Sequence, residues 1–327
     1  MTYTSPPLAN AITTAPAIDI QGLTKTYNTG FWMNKKISPL KDCSLLVQRG
    51  ETYGLLGPNG AGKTTTIKCL LGIVAPSGGS GTLLGQPLGD QNIKQKVGYL
   101  PENAYFYDYL TAWEFLHFAG EVFRIPRHIL KDRIPQLLER VGLAIDTARK
   151  KQLRTYSKGM LQRTGMAQAL INDPELVFLD EPMSGLDPIG RYQMREIIVS
   201  LKKEGKTVFF NSHILADVEA ICDRIGLLVA GKLVAQGSLN EVLGTSETYQ
   251  VRGLGGDMAI FREQLEGFEQ QSDHWRGEWQ GSPHECMELL RQAGATVTDI
   301  NLRRQSLEEF FVSTVRSVQG KEAGISS

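Results

Sequence analysis

Short apolar runs alternate along much of the chain with longer segments in which apolar residues recur at helical spacing. A short run bounded by turn residues is typical of a buried strand, and the longer repeats are typical of helices. Strands are predicted at residues 18–20, 37–47, 53–56, 176–179, 208–210 and 225–229, and helices at residues 64–74, 188–203 and 214–222. This alternation predicts an α/β fold whose parallel sheet is covered by helices on both faces.

Three regions depart from that alternation. Residues 101–163 show mostly helical spacing, which predicts a helical insertion at about residues 103–165. After Gly244, glycines and polar stretches separate amphipathic and strand-like pieces, so we place a small α+β domain at residues 244–327 behind a main domain at 17–243. Residues 1–16 carry prolines among small polar residues and are predicted to form a flexible tail.

Composition and charge narrow the classes of function. The 327 residues are 41% hydrophobic and 21% charged, which is ordinary for a globular protein. Thirty-five basic residues balance 35 acidic ones, so no excess positive charge attracts the chain to nucleic acid. The four cysteines form no CxxC pair, which fits a reducing compartment, and no apolar run is long enough to cross a membrane. Any membrane link is therefore expected to come through a partner.

A glycine-rich loop between the strand at 53–56 and the helix at 64–74 carries the strongest chemical signal. Its sequence is Gly57-Pro58-Asn59-Gly60-Ala61-Gly62-Lys63-Thr64, which matches the phosphate-binding pattern GxxxxGK[ST] in the strand-to-helix context that this pattern requires. Backbone N–H groups of such a loop bind phosphate oxygens, aided by the positive end of the helix. We expect Lys63 to bridge the β- and γ-phosphates, Thr64 to ligate Mg²⁺ and Thr65 to bind an α-phosphate oxygen.

Two carboxylates, Asp180 and Glu181, follow the apolar strand at 176–179 directly. Ligands bind at the carboxyl ends of the strands in open α/β sheets, which favours a role in the site over two solvated acids. Asp180 is predicted to contact Mg²⁺ or its water, and Glu181 to act as the general base for an attacking water. A GTPase is disfavoured because the sequence contains no NKxD motif to bind guanine.

The segment from Tyr156 to Arg163 resembles the signature motif of ABC ATPases, with Ser157, Lys158, Gly159 and Met160 at its centre. The resemblance implies a P-loop NTPase fold with a mixed sheet, an antiparallel β-subdomain and a helical subdomain. It also implies that the signature of one subunit binds the γ-phosphate of the ATP held by the phosphate loop of another. A helix start carrying a serine N-cap is the plainer interpretation of this segment taken alone.

Further family elements occur in the expected order. Tyr27 is similar to the aromatic residue that stacks on adenine, the segment 184–187 with Asp187 is similar to the D-loop of the dimer interface, and His213 resembles the switch histidine that contacts the γ-phosphate. Each has an ordinary alternative, namely packing for Tyr27 and a helix start for His213.

Two positions differ from the usual family pattern. Glu102 stands where the Q-loop normally has glutamine, and Lys158 replaces the first glycine of the signature. Glu102 remains placed to reach Mg²⁺ or its water. Both variants resemble the branch of ABC-2 exporters, to which the segment 306–311 is also similar.

The resemblance implies ATP and Mg²⁺ as cofactors, a second identical or paralogous ATPase subunit, and membrane-spanning permease subunits at the inner face of the cell membrane. Aromatic residues after the Q-loop position, Tyr105, Phe106, Tyr107 and Tyr109, are interpreted either as a docking surface for the permease or as core packing. The cluster at 31–33 either faces a partner or covers the core. A non-transport ABC ATPase and an importer subunit are the alternative functions.

Overall fold

The computed structural model describes residues 15–29, 35–244, 248–302 and 306–324. The apolar cluster at 31–33, and all but the last two residues of the predicted tail, lie outside these ranges. The chain forms two compact units that part between Gly237 and Ser238, six residues before the boundary expected from composition. Each unit has a core of its own.

The strands account for both β-layers of the first unit and the sheet of the second. In chain order they are β1 (Ile18–Thr29), β2 (Lys35–Val47), β3 (Thr52–Leu56), β4 (Gly78–Leu83), β5 (Gln86–Pro87), β6 (Val97–Leu100), β7 (Leu176–Asp180), β8 (Thr207–Ser212), β9 (Arg224–Val229), β10 (Lys232–Ser238), β11 (Thr248–Leu254), β12 (Glu266–Gln271), β13 (His274–Gln280) and β14 (Thr296–Leu302).

The helices connect these strands and form the insertion. They are α1 (Lys63–Leu70), α2 (Ala112–Val122), α3 (Arg127–Arg140), α4 (Ile145–Lys150), α5 (Lys158–Ala169), α6 (Pro188–Lys203), α7 (Leu215–Ile221), α8 (Leu239–Leu243), α9 (Met258–Gln264), α10 (Pro283–Gln292) and α11 (Leu307–Gly324). Short 3-10 turns lie at Asn92–Lys96 and Leu153–Thr155.

A six-stranded sheet in the order β10-β9-β3-β8-β7-β6 forms the centre of the first unit. Strand β3 pairs in parallel with β8 and β9, and β7 pairs in parallel with β6 and β8. Every residue of β3, β7 and β8 is buried, as expected for the interior of a parallel sheet covered on both faces. The predicted α/β core is confirmed, and the carboxyl ends of β3, β7 and β8 lie side by side.

A second sheet in the same unit is antiparallel, in the order β2-β1-β4-β5. Strand β4 was absent from the sequence prediction, because its start, Gly78-Gly79-Ser80-Gly81, is typical of a turn. Glycine is required there by packing: a Cβ on Gly81 would lie 2.6 Å from the carbonyl oxygen of Asp19 on β1. The close approach of two backbones explains a composition that predicts a loop.

Helix α1 ends four residues before the predicted end at residue 74. Gly72 adopts φ 66°, and its N–H donates to the carbonyl of Cys69, while the N–H of Ile73 donates to that of Lys68. These two bonds form a Schellman C-cap, which turns the chain away from the helix axis. The apolar residues beyond Leu70 therefore continue the helical pattern in sequence but not in structure.

The helical insertion consists of α2 to α5, between β6 and β7. Helix α2 begins with a capping box, in which the side chain of Thr111 accepts from the N–H of Glu114 and the Glu114 carboxylate accepts from the N–H of Thr111. Reciprocal caps of this kind satisfy N–H groups that the first turn leaves free.

The second unit contains a four-stranded antiparallel sheet in the order β12-β13-β11-β14, with helices α8 to α11. Its core is formed by Val251, Phe261, Leu265, Trp275, Cys286 and Leu290. The hairpin β12–β13 was not predicted, since its exposed positions are polar and its buried ones include glycine. The α+β character expected of this region is present.

Candidate functional site

The glycine-rich loop joins β3 to α1 and is held against two other backbones. Gly62 is the N-cap of α1 with φ 108°, and a Cβ there would lie 2.1 Å from the carbonyl oxygen of Pro39. A Cβ on Gly57 would lie 2.2 Å from the carbonyl oxygen of Leu228. Only glycine fits either position, because a side chain would overlap the neighbouring backbone.

Lys63 is buried within this loop, with 7% of its surface exposed. Its Nζ donates to the carbonyl oxygen of Gly57 at 2.7 Å and to that of Pro58 at 3.4 Å, and lies 3.9 Å from Oε1 of Glu181. Burial lowers the pKa of Lys63, and the negative charge of Glu181 opposes that change. The ammonium group is thus held over the loop, beside the carboxylate expected to act as the base.

Asp180 lies at the carboxyl end of β7, beside the start of α1. Its Oδ1 accepts hydrogen bonds from Oγ1 of Thr64 at 3.1 Å and from Nδ2 of Asn211 at 2.6 Å. Burial raises the pKa of Asp180, while these two hydrogen bonds act in the opposite direction. The carboxylate and the Thr64 hydroxyl are oxygen donors of the type that Mg²⁺ prefers.

Glu181 follows in a left-handed backbone conformation, φ 52°, which is uncommon for a residue with a side chain. Its N–H donates to Oδ1 of Asn211 at 2.7 Å, and its Oε2 lies 2.7 Å from Nδ1 of His213. The carboxylate is 10% exposed and the imidazole 51% exposed. The pair therefore presents an acceptor for a proton at the wall of a solvent-filled space.

That space is a cavity of about 420 Å³ at the mouth of the loop. Most of the predicted site residues line it, namely Asn59, Gly60, Ala61, Gly62, Lys63, Thr64, Thr65, Glu102, Glu181 and His213. Pro39 lines it as well, although nothing in its sequence context indicated a role. Gly57, Pro58 and Asp180 contact the lining through Lys63 and Thr64. The structure thus places these predicted residues around one cavity.

Tyr27 contacts the same loop from β1. It is half-buried, forms a side-chain hydrogen bond with Thr65, and has Nζ of Lys25 4.9 Å from its ring centroid. Burial raises the pKa of its phenol. Tyr27 thus lies beside a residue expected to bind the α-phosphate, a position that suits stacking of an adenine ring at the edge of the site.

The signature segment and Asp187 are not among the residues that line the cavity. Ser157 caps α5, its Oγ accepting from the N–H of Met160 at 3.3 Å, and Asp187 caps α6, its Oδ1 accepting from the N–H of Gly190 at 2.9 Å. Both are predicted site residues that serve as helix N-caps in the single chain. A Cβ on Gly185 would lie 2.3 Å from Nζ of Lys158, so the lysine side chain covers the loop before Asp187.

Two buried polar residues of this region were not found by the sequence analysis. Asn211 is fully buried and bonds to both Asp180 and Glu181. Gln162 donates from Nε2 to the carbonyl oxygen of Pro182 at 3.0 Å, which joins the signature helix to the loop after Glu181. The available signal for Asn211 was an amide in an otherwise apolar strand, directly before Ser212 and His213.

The aromatic residues after Glu102 divide into two groups. Phe106 packs edge-on against Phe115 with ring centroids 5.1 Å apart, as core packing predicts. Tyr105, by contrast, is 98% exposed, and Tyr107 and Tyr109 are also exposed. An apolar cavity of about 360 Å³ has Tyr99, Pro101 and Phe123 in its wall.

The described residues contain no helix long and apolar enough to span a membrane. Within the same ranges, no group of three or more His, Cys, Asp or Glu side chains forms a metal site by itself. Mg²⁺ usually binds to proteins through one or two carboxylates together with phosphate oxygens and water, so the Thr64–Asp180 pair fits it as part of a nucleotide site.

Comparison with known proteins gives consistent matches. A family profile described as "ABC transporter" matches residues 40–184. An uncharacterized ABC transporter ATP-binding protein of Nostoc sp. is 60% identical over 90% of this chain and 88% of its own length. The bacitracin transport ATP-binding protein BcrA of Bacillus licheniformis is 35% identical over 90% of this chain and 95% of its own length. A dimeric structure of the bacterial ABC transporter cassette MJ0796 is 25% identical, with TM-score 0.63 over 68% of this chain and 98% of that one.

Proposed function

The chain belongs to the family of ABC transporter ATP-binding proteins, and from this premise we propose that it powers the export of a substrate through separate membrane-spanning subunits. It is an ATP-binding and ATP-hydrolysing subunit of such a transporter. The export direction is supported by the similarity to a Nod factor export ATP-binding protein and by the motif variants at Glu102 and Lys158. The observation that carries the catalytic assignment is the contact of Glu181 with His213 at the wall of the phosphate-loop cavity.

ATP is proposed to lie with its phosphates on residues 57–65 and its adenine against Tyr27. Backbone N–H groups at the N-terminus of α1 and the Lys63 ammonium group compensate the phosphate charge. Thr64 and Asp180 are proposed to hold Mg²⁺, with Glu102 near it or its water. When bound, Mg²⁺ neutralises charge on the β- and γ-phosphate oxygens.

Three side chains of this site, Glu181, His213 and Lys63, are proposed to act in hydrolysis. The oxygen of the attacking water bonds to the γ-phosphorus while the bond from that phosphorus to the bridging oxygen breaks and ADP leaves, and the Glu181 carboxylate accepts the proton that the water loses. The imidazole of His213, 2.7 Å from that carboxylate, orients it and contacts the γ-phosphate. Lys63 stabilises the charge that develops on the transferred phosphoryl group. Its ammonium group already lies at the loop, where it bonds to the carbonyl oxygens of Gly57 and Pro58.

A complete site is proposed to need a second copy of this chain or a paralogue. The reason is that Ser157 and Asp187 cap their own helices, and that neither these two residues nor residues 158–160 line the cavity of the same chain. In the proposed dimer the N-terminus of α5 faces the γ-phosphate bound to the partner subunit, where its positive end attracts the anion. ATP then joins the two subunits, and hydrolysis releases them.

The Glu181→Gln variant tests this arrangement, since it removes the base while keeping the side chain's size. With ATP and Mg²⁺ we expect light scattering to show a dimer that wild-type protein forms only transiently. ATP turnover is expected to fall by a factor of about 10² or more, as is typical for loss of a general base. A variant that binds ATP yet remains a monomer at all nucleotide concentrations would contradict the composite site.

We further propose that the chain is held at the cytoplasmic face of the cell membrane by its permease. The exposed tyrosines at 105, 107 and 109 and the apolar cavity beside Phe123 are proposed to receive a cytoplasmic segment of that partner. Co-purification of a multi-spanning protein from detergent-solubilised membranes tests the association. Its absence under conditions in which the ATPase stays intact would favour a non-transport ABC ATPase.

We also propose that the chain consists of an ATPase domain at 17–243, with a helical subdomain at about 103–165, and an accessory domain at 244–327. Four helices lie between β6 and β7, and the last of them, α5, continues to Ala169.

A further inference from the structure

Asn211 is a polar residue where the fold alone calls for an apolar one. It lies in β8, a strand at the interior of the parallel sheet in which all six residues are buried, and it is itself 0% exposed. Burying an amide is unfavourable unless each of its polar groups finds a partner. A β-branched apolar side chain is the residue type that such a strand ordinarily favours.

Both ends of the Asn211 amide bind residues at the carboxyl end of β7. Its Nδ2 donates to Oδ1 of Asp180 at 2.6 Å, and its Oδ1 accepts from the N–H of Glu181 at 2.7 Å. Asp180 and Asn211 are paired in the parallel register, which places the amide beside the carboxylate. One side chain thus contacts the two consecutive residues to which the proposed chemistry assigns metal binding and proton transfer.

These two hydrogen bonds have different consequences. Asn211 and Thr64 both donate to Oδ1 of Asp180, so the rotation of the carboxylate is fixed from two sides and its second oxygen remains for a ligand. The bond from the Glu181 N–H supports a left-handed backbone conformation, which is unfavourable for a residue with a side chain. That conformation sets the direction of the Glu181 side chain toward His213.

We infer that Asn211 is a positioning residue for ATP hydrolysis, which holds Asp180 and Glu181 in the one arrangement that serves Mg²⁺ and the attacking water together. This inference rests on the roles proposed for those two carboxylates. The asparagine amide donates at one end and accepts at the other, as these two partners require. Aspartate loses the donor, and serine is too short to reach both partners at once.

The test compares Asn211→Val with Asn172→Val. Asn172 is the control, because its amide also makes two hydrogen bonds, both donated by Nδ2 to the carbonyl oxygens of Gln95 and Val97, and it does not line the nucleotide cavity. Binding of a fluorescent ATP analogue is measured with EDTA and with Mg²⁺, alongside kcat, KM and thermal unfolding. If the substitutions only disturb packing, the unfolding temperature of both variants changes. The gain in ATP affinity on replacing EDTA with Mg²⁺ then stays as in wild type.

For Asn211→Val we expect Mg²⁺-free binding like that of wild type, and a loss of about 10–100-fold in both the Mg²⁺-dependent gain in affinity and kcat. Asn172→Val is expected to unfold at lower temperature while keeping both quantities. If Asn211→Val fails to fold, Asn211→Ser is measured in the same way and is expected to lose part of each. Retention of the Mg²⁺ response and of kcat in a folded Asn211 variant overturns the inference.

The same measurements separate this inference from the proposed function. A wild-type chain that binds ATP equally with and without Mg²⁺ contradicts the proposed metal role and this inference with it. A normal Mg²⁺ response in wild type that survives unchanged in the Asn211 variants contradicts the role of Asn211 alone.

Discussion

Gly62 lies so close to Pro39 that a Cβ on the glycine would stand 2.1 Å from the proline carbonyl oxygen. The contact joins the start of α1 to β2, and so links the nucleotide loop to the antiparallel sheet. Because Gly62 also has φ 108°, two independent constraints exclude a side chain at this position.

Gly62→Ala and Gly60→Ala form a matched pair that isolates the close contact. Gly60 has φ 80°, and no atom of the residues that the structure describes lies within 4 Å of a Cβ placed on it, so Gly60→Ala is expected to cost only about 1–2 kcal/mol of backbone strain. Gly62→Ala adds steric overlap and is expected to cost more than about 3 kcal/mol and to abolish the stabilisation by ATP. Urea unfolding with and without ATP measures the free energy of unfolding of each variant and its increase on adding ATP. Equal losses of stability in Gly62→Ala and Gly60→Ala would contradict the role given to Pro39.

Two aspartates of the first unit are expected to respond to pH with opposite sign. Burial raises the pKa of Asp217, which is 3% exposed and has one carboxylate oxygen that finds no hydrogen-bond partner among the described residues. A hydrogen bond from Lys206 lowers the pKa of Asp173. The ionised Asp217 therefore destabilises the fold as pH rises through its raised pKa, whereas Asp173 stabilises it above 3.8 and ceases to do so as pH falls through its lowered pKa.

The corresponding asparagine variants make this measurable. At pH 7, Asp217→Asn is expected to raise the free energy of unfolding and Asp173→Asn to lower it slightly, since Asp173 is largely exposed. The Asp217 difference is expected to narrow as the pH falls from its raised pKa to 3.8, whereas the Asp173 difference is expected to narrow only as the pH falls below 3.8. Urea unfolding at several pH values provides the comparison, and an Asp217→Asn variant that is less stable than wild type at pH 7 would show that its contact with Arg195 outweighs desolvation.

Phe261 tests the independence of the second unit. Its ring is fully buried in that unit's own core, with the Trp275 ring centroid 4.5 Å away. Phe261→Ala is expected to destabilise the second unit by about 3–5 kcal/mol, as is typical for removal of a buried ring, while ATP binding by the first unit is retained. Limited proteolysis that leaves a fragment ending near residue 237 would support this, and loss of ATP binding would argue against it.

Tyr105 and Phe106 are adjacent in sequence but differ in their contacts. Tyr105→Ala removes a side chain that is 98% exposed, so stability is expected to change by less than about 0.5 kcal/mol while assembly with the permease weakens. Phe106→Ala removes the contact with Phe115 and is expected to cost roughly 2–3 kcal/mol, somewhat below the value for a fully buried ring. Thermal unfolding and co-purification with the permease measure the two effects separately, and normal assembly of Tyr105→Ala would exclude it from the docking surface.

Local signals allowed α6 to be predicted at its observed limits. Asp187 caps the helix, Pro188 occupies its first position, and apolar residues recur at helical spacing behind them. The hairpin β12–β13 carries no such signal, since its packing is formed by Trp275 and glycines against residues distant in sequence. Tertiary contacts, rather than periodicity, determine those strands.

The phosphate loop and the two carboxylates of the site were predictable because, as for α6, their signals are local in sequence. Residues 57–65 and the pair Asp180-Glu181 are contiguous in sequence, and the fold requires each at the end of a strand. Asn211 was not predictable, because an amide in an apolar run has no consequence until β7 and β8 are placed in register. The left-handed backbone of Glu181 is likewise a property of the assembled sheet.

That backbone angle bears on attempts to engineer the protein. Glycine and asparagine occupy left-handed geometry at lower energy than glutamate does, so either replacement at position 181 relaxes the chain while removing the base. Mutant libraries selected only for thermal stability are therefore expected to enrich inactive variants at position 181. Retaining turnover through such a campaign requires that activity be scored in every round.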